Sequence, residues 1–173
     1  MIDWEAIFKD ATWFHWSGIT PSLSNELAEM CEEALIVATK MGLTISADLN
    51  YRPTLWQYGK KANEVMPKLV KYCDLLLGGA DETEVVLGID FDEHETQEKI
   101  FAKWIKTFPK IKNIVTTQRI QANASSNGLS ASFWDGKELL QSRKYNVSHI
   151  IDRIGAGDAF VAGIIYGLIT WKE

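Results

Sequence analysis

The stretch Asp152-Arg153-Ile154-Gly155-Ala156-Gly157-Asp158-Ala159-Phe160 decides how this chain is read. Gly155 and Gly157 let the backbone turn sharply and come close to a ligand. An apolar run, Ala159-Phe160-Val161-Ala162-Gly163-Ile164-Ile165, follows at once and predicts a buried helix from about Ala156 to Trp171. The N–H groups that open such a helix point outward, where the helix dipole favours an anion. The same residues also make an ordinary glycine turn, with Asp158 as a helix-start residue favoured by the dipole. The spacing matches neither the P-loop nor the G-x-G-x-x-G dinucleotide fingerprint.

Upstream of this turn, apolar strands alternate with amphipathic helices. Ala11 to Ile19, with Trp13, Phe14 and Trp16, predicts a buried strand. Thr20-Pro21 reads as an N-cap and first helical residue, and one helix is expected to run on to Gly42. Leu43 to Ala47 predicts a strand that leaves through the loop Asp48-Leu49-Asn50-Tyr51-Arg52-Pro53. Lys60 to Tyr72 predicts a helix, kinked or restarted at Pro67. Asp74 to Leu77 is a further strand, closed by Gly78-Gly79. Asp81 and Glu84 read as a capping box opening a short helix. Glu95 to Lys106 predicts a helix with Ile100, Phe101, Trp104 and Ile105 on one face, and Asn113 to Thr117 a fourth strand. Gln118 to Gly128 reads as a polar loop. Leu129 to Trp134 and Glu138 to Tyr145 read as strands joined by a hairpin turn at Asp135-Gly136-Lys137. The alternation implies an α/β fold: a mostly parallel sheet with helices on both faces, plus a β-hairpin before the last helix.

Composition narrows the classes. The 173 residues are 46% hydrophobic and 24% charged, values of an ordinary globular protein, and suggest one domain. A net charge of −5 argues against nucleic-acid binding, which needs a basic face. It leaves room for a small anion held by a few local groups. Cys31 and Cys73 lack zinc or redox spacing and read as small hydrophobes in a reduced compartment. The start, Met1-Ile2-Asp3-Trp4-Glu5, has no basic segment of a secretory signal. No apolar run is long enough to span a bilayer. A cytoplasmic location, with neither nucleic-acid nor membrane partner, is expected. His15 and His149 read as packing or surface residues.

The segment from Asp152 to Phe160 resembles the C-terminal signature of the PfkB (ribokinase-like) carbohydrate kinases, D-T-x-G-A-G-D-x-F, with Arg153 in place of Thr. Other segments fit in order. Asp48-Leu49-Asn50-Tyr51-Arg52-Pro53, followed by Leu55-Trp56, is similar to the D-x-N-x-R loop of the 2-keto-3-deoxygluconate kinases. Gly79-Ala80-Asp81-Glu82 stands where the family has N-x-x-E, with Gly79 replacing Asn. Val115-Thr116-Thr117-Gln118 stands where a V-T-x-G strand end meets the nucleotide, with Gln118 replacing Gly. The resemblance runs from about Phe14 to Trp171.

The resemblance implies ATP-dependent phosphorylation of 2-keto-3-deoxygluconate at its C6 hydroxyl, with Mg²⁺ neutralising the phosphates. Asp158 would be the catalytic base. A carboxylate is too weak to deprotonate an alcohol outright, but a loose phosphoryl-transfer transition state needs little early proton removal. Gly155, Ala156 and Gly157 would supply an anion hole. Arg52 would pair with the substrate carboxylate, with Asn50 beside it; a planar guanidinium suits that task. Thr117 and Ser125, with Gly155 and Gly157, are the candidates for nucleotide phosphate. Glu82 would bear on the metal indirectly, through water or phosphate.

Read locally, Arg52 also fits a solvated loop, Asn50 a turn and Glu82 a helix start. Another PfkB sugar kinase, such as a fructokinase or ribokinase, and a non-catalytic fragment that binds nucleotide or a partner chain are the rival readings. Nothing in the chain resembles the family's N-terminal sugar-binding segment and lid, or its C-terminal helices. The expectation is therefore a single partial domain over 1–173, with weak or absent activity alone. Members of the family pair through the lid, which leaves a homo-oligomer open.

Overall fold

Four parallel strands form the framework: β1 (Trp13–Ser17), β2 (Thr44–Asp48), β3 (Leu75–Leu77) and β4 (Asn113–Asn123), hydrogen-bonded in chain order. The computed structural model describes residues 2–171 apart from 93, 124, 125, 149, 150 and 153, and only the backbone of 119–123, 126, 127 and 148. Ser125, His149 and Arg153 thus lie outside the described residues. The helices are α1 (Trp4–Phe8), α2 (Ile19–Leu23), α3 (Asn25–Lys40), α4 (Ala62–Val70), α5 (Glu82–Val85), α6 (Gln97–Thr107) and α7 (Ala156–Thr170). Three antiparallel strands, β5 (Ser126–Trp134), β6 (Leu139–Gln141) and β7 (Tyr145–Ser148), extend the sheet beyond β4.

Alternation along the strands sorts side chains to two faces. Phe14, Trp16, Ile45, Ala47, Leu76 and Ile114 point to one face. There they meet Leu35 and Ala38 of α3, Met66 and Leu69 of α4, and Phe101 and Trp104 of α6. In each helix these positions stand three apart, as on the stripe of a core-facing helix. Leu75, Leu77 and Val115 point to the other face and are covered by Val161 of α7, with Trp13, Phe160, Ile164 and Leu168 packed around them. The helices thus lie on both faces, as expected from the alternation.

Several local expectations are corrected. The helix expected from Thr20 to Gly42 is two helices. Ser24 is extended, and its Oγ accepts the Leu27 N–H at 3.3 Å to open α3, so Pro21 sits inside α2. Gly18 precedes α2 where a Cβ would stand 2.1 Å from the Leu49 carbonyl oxygen, so only glycine fits there. Over 118–123 and 126–128 the polar stretch is strand rather than loop. β4 runs through it and pairs antiparallel with β5, Gln118 opposite Ser130 and Ile120 opposite Gly128. A two-stranded ribbon is held by backbone hydrogen bonds, which polar side chains do not advertise. The hairpin at Asp135–Lys137 is present, with Asp135 Oδ1 accepting the N–H of Lys137 and of Glu138, both at 2.8 Å. The strand expected from Glu138 to Tyr145 breaks in two. At the break, Ser142 bonds Ala131 through both its backbone N–H and its Oγ. The capping box at Asp81 does not form, because the Asp81 side chain caps nothing. Among the described residues β1 pairs with β2 alone, and it is half-buried rather than buried. On α7, Tyr166 is exposed, as is Trp171 just beyond it.

Asp74 ties the base of the sheet together. Its carboxylate accepts the Ile45 N–H at 3.0 Å and hydrogen bonds from Lys110 at 2.6 Å and Lys112 at 3.2 Å. Burial pushes its carboxyl up, but the Lys110, Ile45 and Lys112 hydrogen bonds outweigh it and hold the pKa below the ordinary value. A lowered folded-state pKa stabilises the fold above the unfolded value and is lost as pH falls through the folded one. Asp74→Asn is expected to cost about 1–3 kcal/mol in urea unfolding at neutral pH. The gap to the wild type is expected to begin closing as pH falls below about 4, the ordinary value, and to close fully once pH passes below the lowered folded value.

Candidate active site

The carboxyl ends of β2 and β3 with their following loops, the middle of β4 and the first turn of α7 surround one cavity of about 870 Å³. In α/β proteins, ligands bind beyond the carboxyl ends of parallel strands, so the cavity lies where the topology puts a site. Each wall has its own local cause.

Asp48 ends β2, and its Oδ1 accepts the Asn50 N–H at 2.9 Å. That short-range bond turns the chain and places Asn50 in the left-handed region at φ 42°. The Asn50 amide then donates to Ser17 Oγ at 3.3 Å, joining this loop to the end of β1. Arg52 follows, exposed, with its Nη1 donating to the Tyr51 carbonyl at 3.1 Å. Among the described residues it is the only cation lining the cavity.

Gly78 and Gly79 end β3 and lead into α5. Glu82 there braces two loops: Oε1 accepts the Tyr51 N–H at 3.2 Å, and Oε2 accepts the Gly79 N–H at 2.9 Å. α5 is anchored from below by Trp104, whose indole N–H donates to Thr83 Oγ1 at 3.0 Å within the core. Thr116 and Thr117 of β4 form the adjoining wall.

The glycine turn closes the ring. Gly155 takes φ 75°, a conformation that a side chain would strain. Ala159 N–H donates to the Gly155 carbonyl at 2.8 Å, so the helix ladder starts there. The N-cap, Gly155, has no side chain to cap the helix, and the residues of the helix's first turn line the cavity. A Cβ on Gly157 would stand 3.8 Å from Asp48 Oδ2, which brings the helix start against the end of β2.

Asp48, Asp81, Glu82 and Asp158 share this space with Arg52. Burial pushes the Asp48 carboxyl up; the Asn50 N–H opposes the shift, Asp158 adds to it and Arg52 reduces it. Burial likewise raises Glu82 against the hydrogen bonds from Gly79 and Tyr51. No group of three or more metal-ligating side chains is poised to hold an ion among the described residues.

The structure thus gathers Asn50, Arg52, Glu82, Thr117, Gly155, Ala156, Gly157 and Asp158 around one cavity; Ser125 lies outside the described residues. Two of these side chains have structural partners that the sequence did not announce. Asn50 binds Ser17, and both oxygens of Glu82 accept backbone N–H groups. Tyr51, Gly78, Thr116 and Val85 also line the cavity and were not singled out. The rule that sites gather at strand carboxyl ends would have found Gly78 and Thr116.

A polar cavity at the carboxyl ends of parallel strands, bordered by a glycine turn and a helix start, is the arrangement of an α/β protein with a ligand site beyond its sheet. The family is narrower than that class. The model of the pfkB family carbohydrate kinases matches residues 1–173, and the chain belongs to that family. It is 29% identical to the 2-dehydro-3-deoxygalactonokinase of Haloferax volcanii over 95% of this chain and 47% of that protein. It is 28% identical to the 2-dehydro-3-deoxygluconokinase of Bacillus subtilis, over 94% of this chain and 45% of that one. The crystal structure of 2-dehydro-3-deoxygluconokinase from Thermotoga maritima superposes with a TM-score of 0.86 at 38% identity, over 97% of this chain and 51% of that chain. A PfkB family carbohydrate kinase from Listeria grayi superposes with a TM-score of 0.88 at 26% identity. The chain spans about half the length of the curated relatives it matches. No helix among the described residues is long and apolar enough to cross a membrane.

Glu82→Ala is expected to speed amide exchange at Tyr51 and Gly79 by about tenfold, the loss of roughly one net hydrogen bond at each. Glu82→Gln is expected to disturb one of the two amides more than the other, because its NH₂ cannot accept. Hydrogen exchange followed by NMR checks both.

Proposed function

We propose that the cavity is the phosphoryl-transfer site of an ATP-dependent sugar-acid kinase, with 2-keto-3-deoxygluconate as acceptor at its C6 hydroxyl. One observation carries this reading: Arg52, Asp158 and the open start of α7 line one cavity. The Arg52 guanidinium, the one cation among the described residues that line the cavity, suits the carboxylate of a sugar acid, which a neutral sugar lacks. The relatives named for 2-dehydro-3-deoxy sugar acids agree with that preference.

In this reading Arg52 grips the substrate carboxylate and Asn50 shapes the loop that carries it. Asp158 accepts the hydroxyl proton as the acceptor oxygen bonds to the γ-phosphorus. The bond from that phosphorus to the β–γ bridging oxygen breaks, and ADP leaves with the electron pair. The N–H groups of Gly155, Ala156 and Gly157 stabilise charge on the transferring group. Thr117 contacts nucleotide phosphate, a role shared with Ser125, whose place is not described.

Magnesium fits this site as a phosphate-bound ion rather than as one caged by protein, because both Glu82 oxygens already accept backbone N–H groups. Glu82 would reach it through water or phosphate, and Asp81 stands beside it in the cavity wall. When bound, the ion supplies positive charge that neutralises the phosphates.

A second reading, nucleotide binding without turnover by this span alone, is favoured by exposure. Gly155 to Asp158 are all open to solvent, and phosphoryl transfer needs a site closed to water. Two assays separate the readings: ATP consumption with Mg²⁺ and 2-keto-3-deoxygluconate, fructose or ribose, and nucleotide binding measured by calorimetry.

Asp158→Asn is expected to lower kcat by about 10²- to 10⁴-fold while nucleotide still binds. Arg52→Ala is expected to raise KM for the keto sugar acid by about 10- to 100-fold, the loss of a charge-assisted pair. Use of fructose or ribose should change little. Equal loss on neutral and acidic sugars would refute the role of Arg52. Nucleotide binding with no turnover on any sugar would leave the second reading.

A further inference from the structure

Ser17 does not line the cavity, yet it holds the loop that carries Arg52. It is the last residue of β1 and pairs with Asp48, the last of β2. Trp13, His15 and Ser17 on β1 share a sheet face with Ser46 and Asp48 on β2. One row back, Ser46 Oγ accepts the Trp13 indole N–H at 2.8 Å and bonds His15 Nδ1, also at 2.8 Å. The end of β1 is therefore tied to β2 by side chains as well as by the ladder, and Ser17 is a firm anchor.

The loop after β2 hangs on that anchor. Asn50 stands at φ 42°, a region that strains most side chains and must be held by its surroundings. Two bonds hold it. Its backbone N–H donates to Asp48 Oδ1 at 2.9 Å, and its side-chain amide donates to Ser17 Oγ at 3.3 Å. The next N–H, of Tyr51, is held by Glu82 at 3.2 Å, and the Tyr51 carbonyl accepts the Arg52 guanidinium at 3.1 Å. Beyond Arg52 a short 3₁₀ turn, Pro53–Leu55, begins, with the Leu55 N–H on the Arg52 carbonyl at 3.0 Å. Arg52 is thus an exposed residue between two held points. Of the side chains that pin this loop, Ser17 alone stands outside the cavity wall.

We infer that Ser17 is a positioning residue for the acidic substrate: through Asn50 it presets the loop from which Arg52 meets the substrate carboxylate. This rests on the reading of Arg52 as the partner of that carboxylate. Without the Ser17 bond, the loop keeps its ties to Asp48 and Glu82, but Asn50 loses one of the two bonds that hold its turn. Binding must then supply the order that the fold no longer provides. Ser17 is remote from the nucleotide side of the cavity, so the loss falls on binding of the acid, in KM rather than in kcat.

The test compares Ser17→Ala, Ser17→Thr, Asn50→Gly, the Ser17→Ala/Asn50→Gly double variant and Arg52→Ala. Ser17→Ala is expected to raise KM for 2-keto-3-deoxygluconate by about 3- to 10-fold, the worth of one net hydrogen bond, with kcat and the KM values for ATP and fructose little changed. Ser17→Thr, which keeps the hydroxyl, is expected to restore the wild-type KM. In the Asn50→Gly background, where glycine accepts the left-handed turn but offers no amide, Ser17→Ala is expected to add nothing. Calorimetry with the keto sugar acid reads the same differences as Kd without turnover. Amide exchange at Asn50 and Tyr51 is expected to be faster in Ser17→Ala than in the wild type. A KM or Kd unchanged in Ser17→Ala, a loss shared equally by fructose or by kcat, or a Ser17→Ala effect that persists in the Asn50→Gly background overturns the inference. Weaker acid binding in Arg52→Ala but not in Ser17→Ala would sink the role of Ser17 and leave that of Arg52. Acid binding indifferent to Arg52→Ala would sink both.

Discussion

The first turn of α7 must come close to the end of β2, and most of the polar architecture follows from that approach. A Cβ on Gly157 would reach within 3.8 Å of the Asp48 carboxylate, so the helix start and the strand end are near neighbours. What holds them there is apolar. Val161, one turn along α7, is buried among Leu75, Leu77 and Val115. Burying such a side chain is worth roughly 1.5–3 kcal/mol. The αL turn at Gly155 then brings the first turn of α7 into the cavity wall. Fold and site are thus one construction: the residues that pack α7 onto the sheet also aim its start.

The same approach concentrates negative charge. Asp48, Asp81, Glu82 and Asp158 line a space in which Arg52 is the only cation among the described residues. Burial already disfavours the charged forms of Asp48 and Glu82. The loops accommodate this by turning backbone N–H groups toward the carboxylates, Asn50 toward Asp48 and Tyr51 and Gly79 toward Glu82. Crowded carboxylates weaken a fold unless something cationic joins them, and such departures from local rules gather at functional sites. In the reading proposed above, magnesium brought with the nucleotide would offset that charge.

The framework was legible because its signals are local and periodic. Leu43 to Ala47, Asp74 to Leu77 and the helical stripe of Ile100, Phe101 and Trp104 each stand where the pattern puts them. The eight described site candidates converge because the family motifs fall at strand ends, and a parallel sheet brings strand ends together. What the sequence hid was pairing at a distance. The ribbon of β4 and β5 carries Gln, Ser and Asn where strands usually show apolar alternation, so it read as a loop. The break at Ser24 replaced one helix by two, because a serine cap competes with helix continuation. Ser17, Ser46 and His15 looked unremarkable in the chain, since their partners lie about thirty residues away. Those contacts exist only once the register of β1 on β2 is known.

The central claim is that the start of α7 receives the transferring phosphate. The most direct measurement is a ¹H–¹⁵N titration of the folded chain with a non-hydrolysable ATP analogue, Mg²⁺ and 2-keto-3-deoxygluconate. The account predicts that the largest amide shifts fall on Gly155, Ala156, Gly157 and Asp158, with smaller ones at Thr117 and Arg52. Shifts confined to another surface, with these amides unmoved, would contradict it.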